Sequence, residues 1–149
     1  MKLVRVPRGE FRRKYGGTSG GIHYTTKEGE HVIVFPEGAS TRTRLHEIAH
    51  AELGHETKER ISFGERARRE LAADSWVYEK LGKDPSWYEV LGDFAPMVEE
   101  LLEMGYTPNR IFNWVKKEVG DAGYIMDDDA KSFLWNHIRT SYEGLKKRR

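Results

Sequence analysis

A chain of 149 residues with a net charge of +1, about one third charged residues and no cysteine can bury a real core, but it excludes a disulfide scaffold and any thiolate metal site. No run approaches the roughly 18 apolar residues of a membrane helix, and Met1 to Arg8 holds no apolar stretch of signal-peptide length, so the expectation is a soluble cytoplasmic protein with no membrane partner. Histidine and carboxylate remain as the metal donors.

Arg5, Arg8, Arg12, Arg13 and Lys14 crowd the opening, and Lys146 to Arg149 the end. Both clusters read as a solvated face and a frayed tail, so direct nucleic-acid binding is not expected. The glycine-rich run Gly16 to Gly21 reads as a turn; no lysine-serine or lysine-threonine pair follows it, as a phosphate-cradling loop requires. Ile22 to Thr25 and His31 to Phe35 read as strands joined through Lys27 to Glu30. Ser40 caps a helix over Thr41 to Leu53, with Leu45, Ala49 and Leu53 at helical intervals and Gly54 closing it. Ser62, Phe63, Gly64 and Glu65 form a capping box opening a second helix that runs through Leu71, Val77 and Tyr78 to Leu81 and stops at Gly82. Only the stretch from Gly54 to Ile61 connects the two, which predicts antiparallel neighbours.

Beyond Leu81 the chain reads as helical. Asp84-Pro85 and Thr107-Pro108 each place a capping side chain before a proline at a first helical position. Apolar stripes follow at Phe94, Val98, Leu101 and Leu102, at Ile111, Phe112, Val115 and Val119, and at Phe133, Leu134, His137 and Ile138. They read as core. Asp127, Asp128 and Asp129 read as acidic residues opening the last helix rather than as a metal cluster.

The chemistry concentrates at His46-Glu47-Ile48-Ala49-His50. Two imidazoles at i and i+4 share one helical face and can share one metal ion, with Glu47 beside them as the proton acceptor that a metal-activated water needs. Glu70 follows His50 and is itself followed four positions later by Asp74, so Glu70 is placed to complete the metal's ligands while Asp74 orients a ligating imidazole through its outer nitrogen. A metzincin would need glycine and histidine where Leu53 and Glu56 stand. His55 is the rival third ligand, but it lies just past the helix end where the chain turns away. Glu52, Glu56, Glu65 and Glu79 read as solvated helix charges.

These residues resemble the gluzincin metallopeptidases, whose HExxH helix is followed by a third ligand in an ExxxD or ExxAD helix. The local text is most similar to the ImmA/IrrE family, through the strand Val32 to Pro36, Arg42 and Arg44, the run His46 to His55, and Ala73-Asp74-Ser75-Trp76. The minigluzincins are the second resemblance. The likeness covers Val32 to Leu81.

It implies a small zincin-type core over 1–82, with a short β-sheet, an edge strand, the HExxH helix and an antiparallel third-ligand helix; with the helical stripes read beyond Leu81, the expectation is an α+β fold in which a mostly helical region over 83–149 packs on that core as one compact unit. It also implies one catalytic zinc ion on His46, His50 and Glu70, Glu47 as general base, Asp74 orienting a histidine, and a protein or peptide substrate bound in extended form along the edge strand. An oxyanion-stabilising group stays open among Tyr106, Tyr124, His137 and Tyr142. Three functions stay open as well: a protease specific for an intracellular partner such as a DNA-binding repressor, a general or self-restrained peptidase, and a zinc-stabilised binding module without activity.

Overall fold

The computed structural model describes residues 1–16, 20–55 and 61–148. Residues 17–19 of the expected glycine turn, residues 56–60 of the expected connector together with its charge at Glu56, and the terminal Arg149 lie outside the described residues. The fold is α+β, with a three-stranded mixed sheet and a majority of helix. The chain divides into two compact units, Met1–Ile61 with Ala73–Lys83, and Ser62–Ala72 with Asp84–Arg149.

The first unit is built on three strands, β1 (Lys2–Val6), β2 (Ile22–Thr25) and β3 (His31–Pro36), in the order β1-β3-β2. β3 runs parallel to β1 and antiparallel to β2, with Val4 opposite Val34 and His23 opposite Ile33. Gly29 takes the left-handed backbone, φ 84°, that the β2–β3 turn requires, and Thr26 N–H donates to the Glu30 carbonyl at 2.9 Å. β3 is central and buried on both faces, which explains its unbroken apolar text. Val32 and Val34 meet Phe11 on one face, with Val4, Val6, Tyr15, Ile22 and Tyr24 around them. Ile33 and Phe35 meet Ala51 on the other, with Ala39 and Ile48.

Helix α1 (Arg8–Tyr15) therefore covers one side of the sheet and α2 (Thr41–Glu52) the other. The basic opening, expected as a solvated face, supplies both β1 and α1. Its arginines do point outward, but Val4 and Val6 alternate onto the side that Phe11 occupies, and Phe11 is buried. So few apolar positions carry little periodic signal; packing on β3 is what organises them.

The two expected strands and the two expected central helices form as read, with α3 spanning Phe63–Leu81. Ser40 accepts from Thr43 N–H at the start of α2, and Ser62 Oγ accepts from Glu65 N–H at 3.1 Å at the start of α3. The Glu65 carboxylate reaches Arg69 Nε at 3.2 Å and Arg68 Nε at 3.3 Å, which holds it below the usual carboxylate range. Within the first unit α2 meets the second half of α3 through Ala49, Ala73 and Val77, flanked by Leu45, Trp76 and Leu81. Alanine occupies the buried centre of this contact from both helices.

The second unit combines the first half of α3 with α4 (Trp87–Gly92), α5 (Ala95–Glu103), α6 (Pro108–Asp121) and α7 (Asp128–Arg148), and α7 packs against α4, α5 and α6. Phe94, Val98, Leu101, Leu102, Ile111, Val115, Val119, Leu134 and Ile138 are buried, as core stripes should be, while Phe112, Phe133 and His137 are only partly covered. The Trp114 ring stands edge-on to Phe63 and Phe94, with centroids 6.5 and 6.0 Å away. Thr107 caps α6 by accepting from Arg110 N–H at 3.3 Å, and Asp127 caps α7 by accepting from Ala130 N–H at 2.7 Å.

Asp84-Pro85 opens no helix: α4 begins at Trp87 after an extended Ser86. Pro96, in the first turn of α5, has no N–H to extend α4, so the chain restarts its helix at Ala95. No helix of the described residues is long and apolar enough to cross a membrane.

Because Ala49 and Ala73 are both fully buried, Ala49→Leu should overpack the seam and lower unfolding stability by about 1–3 kcal/mol. Urea titration followed by circular dichroism measures this, and an unchanged midpoint would show slack between α2 and α3.

Candidate metal centre

Helical periodicity puts Arg42, His46 and His50 in one stripe along α2, each four residues from the last, next to the stripe that packs on α3 through Ala49. His46 is buried at 7% exposure, and Glu47 and His50 are half-buried. Nε2 of His46 and Nε2 of His50 lie 3.1 Å apart, their rings nearly perpendicular at 82°. Two nitrogens on one tetrahedral ion, with bonds of about 2.0–2.1 Å, sit roughly 3.3 Å from each other, so the separation suits a shared ion.

Asp74 on α3 is fully buried, and its Oδ1 takes two hydrogen bonds. Arg42 Nη2 donates at 2.6 Å and His46 Nδ1 donates at 3.0 Å. A carboxylate oxygen in this role only accepts, so the His46 proton lies on Nδ1 and the Nε2 lone pair is left to face His50. The other oxygen, Oδ2, is buried with no hydrogen-bond partner among the described residues.

Glu70 precedes Asp74 by one turn of the same unbroken helix. One ligand atom from each of His46, His50 and Glu70 lies within 4.8 Å of the others. The donor set, two imidazole nitrogens and a carboxylate oxygen, is the chemistry that a zinc-sized divalent ion takes when a fourth position is left for water. These three residues could therefore hold a divalent metal ion.

His55 does not stand in that group. It sits on the opposite side of the His50 ring, with the two Nδ1 atoms 2.9 Å apart. The chain does not turn away at the helix end as expected. Gly54 adopts φ 76°, and His55 N–H donates back to the His50 carbonyl at 2.8 Å, which folds the His55 ring onto that of His50.

The sequence marks Gly21, at the threshold of β2, only as part of a turn. A Cβ there would stand 2.7 Å from Cγ of Glu47 and 3.1 Å from Cδ1 of Phe35, and a Cβ on Gly20 would stand 2.7 Å from Cγ2 of Thr43. The 20–21 backbone thus lies directly on α2 beside Glu47, an approach open only to glycine.

The sequence offers Arg42 only as part of a resemblance and His55 only as a rival third ligand; their places as partners of Asp74 and of His50 come from the structure. Arg42 had a legible signal, its place one turn before His46 on the same face. The position of His55 depends on the backbone turn at Gly54. The four aromatic and histidine candidates for an oxyanion group, Tyr106, Tyr124, His137 and Tyr142, all fall in the second unit.

A scan against protein-family models finds no match, and searches of the curated proteins and of the solved structures find none either.

Asp74→Asn keeps the shape but removes the charge that meets Arg42 and orients His46. Affinity for a divalent ion titrated into the site should fall by about 10–100-fold, measured by chelator competition. Undiminished affinity would remove Asp74 from the orienting role.

Proposed function

We propose that this chain is a zinc-dependent metallopeptidase with a small zincin-type core, His46, His50 and Glu70 holding the metal and Glu47 acting as general base. The observation that carries the reading is the convergence of those three ligand atoms within 4.8 Å, with Glu47 in the helical turn between the two histidines. A bound zinc ion supplies Lewis acidity: it brings water towards ionisation near neutral pH and stabilises negative charge on a carbonyl oxygen.

Within that frame each residue has a task. Asp74 and the Arg42 guanidinium keep the proton of His46 on Nδ1, so Nε2 offers a lone pair at all times. Glu47 accepts the proton of the attacking water as its oxygen bonds to the peptide carbonyl carbon. It then delivers that proton to the departing nitrogen as the C–N bond breaks, so the carboxylate returns to its starting state. The close glycine backbone at 20–21 fixes one side of Glu47's surroundings.

Substrate recognition follows from the sheet. β2 is an edge strand, and Gly20 and Gly21, which lead into it, adjoin the helix that carries Glu47. A protein or peptide segment in extended form can add to that edge as a further strand, with its scissile bond brought towards Glu47. Such binding relies on backbone groups and tolerates many side chains. A specific intracellular target, a DNA-binding repressor being the one the sequence resemblance implies, would draw its selectivity from surfaces outside this strand edge. A cytoplasmic site of action belongs to the same proposal.

Glu47→Gln should retain stoichiometric zinc by elemental analysis. Cleavage of a proteome-derived peptide library, read by mass spectrometry, should drop by about 100-fold or more because the proton acceptor is lost. Cleavage at the parent rate would refute the assignment of the base. Glu70→Ala should release the metal during dialysis that the parent survives. Full zinc retention by that variant would take Glu70 out of the ligand set.

A further inference from the structure

We infer that His55 is the positioning residue of the second metal ligand, holding the His50 ring in the tautomer and orientation that metal binding needs. The inference rests on the metal-centre reading above and assigns a role to a residue which that reading leaves unused.

The backbone begins the argument. With Gly54 left-handed and His55 N–H bonded to the His50 carbonyl, the His55 ring is carried back over the last turn of α2. Its Nδ1 lies 2.9 Å from Nδ1 of His50, with ring centroids 5.1 Å apart and planes tilted by 56°. Two ring nitrogens at that distance share one proton.

The proton's place is decided by the metal. For His50 to offer Nε2, its own hydrogen must be on Nδ1, so Nδ1–H is the donor and the His55 Nδ1 the bare acceptor. The two ligands are then oriented differently, His46 by the carboxylate of Asp74 and His50 by a neutral imidazole.

His55 is itself anchored. Its main-chain carbonyl lies 2.9 Å from Nδ1 of His23, a fully buried residue of β2. A carbonyl only accepts, so His23 donates through Nδ1. Strand alternation directs His23 to the sheet face that meets α2, since it stands opposite Ile33. On its other side Nε2 of His23 lies 3.0 Å from Nδ1 of His31, and the two rings stack with centroids 5.2 Å apart. Burying an imidazole completely is costly unless both nitrogens find partners. Here both do, and one of those bonds fixes the segment that carries His55.

The test is a titration of cobalt(II), with zinc in chelator competition, into the metal-stripped full chain. His55→Ala should weaken both metals by about 10–100-fold and change the cobalt ligand-field band, because the His50 ring loses its acceptor. His55→Asn places an amide oxygen where Nδ1 stood and should restore affinity to within a few-fold and return the band. That rescue separates positioning from a merely structural role. Ring-nitrogen NMR of the zinc-loaded parent decides the matter even if the alanine variant fails to fold: His50 should carry its proton on Nδ1 and His55 on Nε2. Parent-like affinity in His55→Ala, an asparagine variant as weak as alanine, or a bare Nδ1 on His50 overturns the inference and leaves the metal centre standing. Absence of metal binding by the parent, or binding unaffected by His46→Ala, overturns the metal centre and this inference with it.

Discussion

One carboxylate oxygen organises this site. Asp74 Oδ1 accepts from Arg42 and from His46 while the residue is withdrawn entirely from water. An isolated charge in that position would be expensive, and the guanidinium makes it tolerable by direct, charge-assisted contact. Because Arg42 and His46 lie one helical turn apart, a single acceptor on α3 fixes the rotation of α2 about its own axis. It also fixes where the His46 lone pair points.

That contact depends on the helices being close enough. Ala49 and Ala73, both fully buried, leave no room between α2 and α3 for larger side chains without moving the Asp74 oxygen relative to the ring. The aliphatic seam and the polar site are thus parts of one construction. Apolar burial on one stripe of α2 sets the distance, and hydrogen bonds on the next stripe spend it on orientation. The sheet contributes from the other side, with Ile33, Phe35 and Ala51 pinning α2 to β3 and the 20–21 backbone resting beside Glu47.

Five of the six histidines in the chain take part in, or adjoin, this arrangement. They run from His31 through His23 and the His55 segment to His50 and His46, ending on Asp74. His137 stands apart on α7 with a buried Nε2 that has no hydrogen-bond partner among the described residues. Imidazole suits this series because one ring can donate from one nitrogen and accept, or ligate, at the other. The tautomer of each ring is constrained by its neighbour, and two groups that only accept set the direction: the His55 carbonyl within the series and the Asp74 carboxylate at its end.

Periodicity and spacing in the sequence were enough to set the two strands flanking Lys27 to Glu30, the span of α2 and α3, the core stripes of α5 to α7, and the grouping of His46, His50 and Glu70 near Asp74. Those features are local or nearly so: helical repeat, caps and alternation are properties of neighbouring residues. What the sequence left undecided involves partners distant along the chain. β1 and α1 exist because Val4, Val6 and Phe11 find β3, and α4 is cut short where Pro96 forbids its continuation. The pairing of Arg42 with Asp74, the close glycine backbone beside Glu47, and the return of His55 onto His50 under the grip of His23 came from the tertiary structure alone. A hydrogen bond across such separations depends on where whole elements pack, and that is set by the summed burial of many side chains rather than by any short motif.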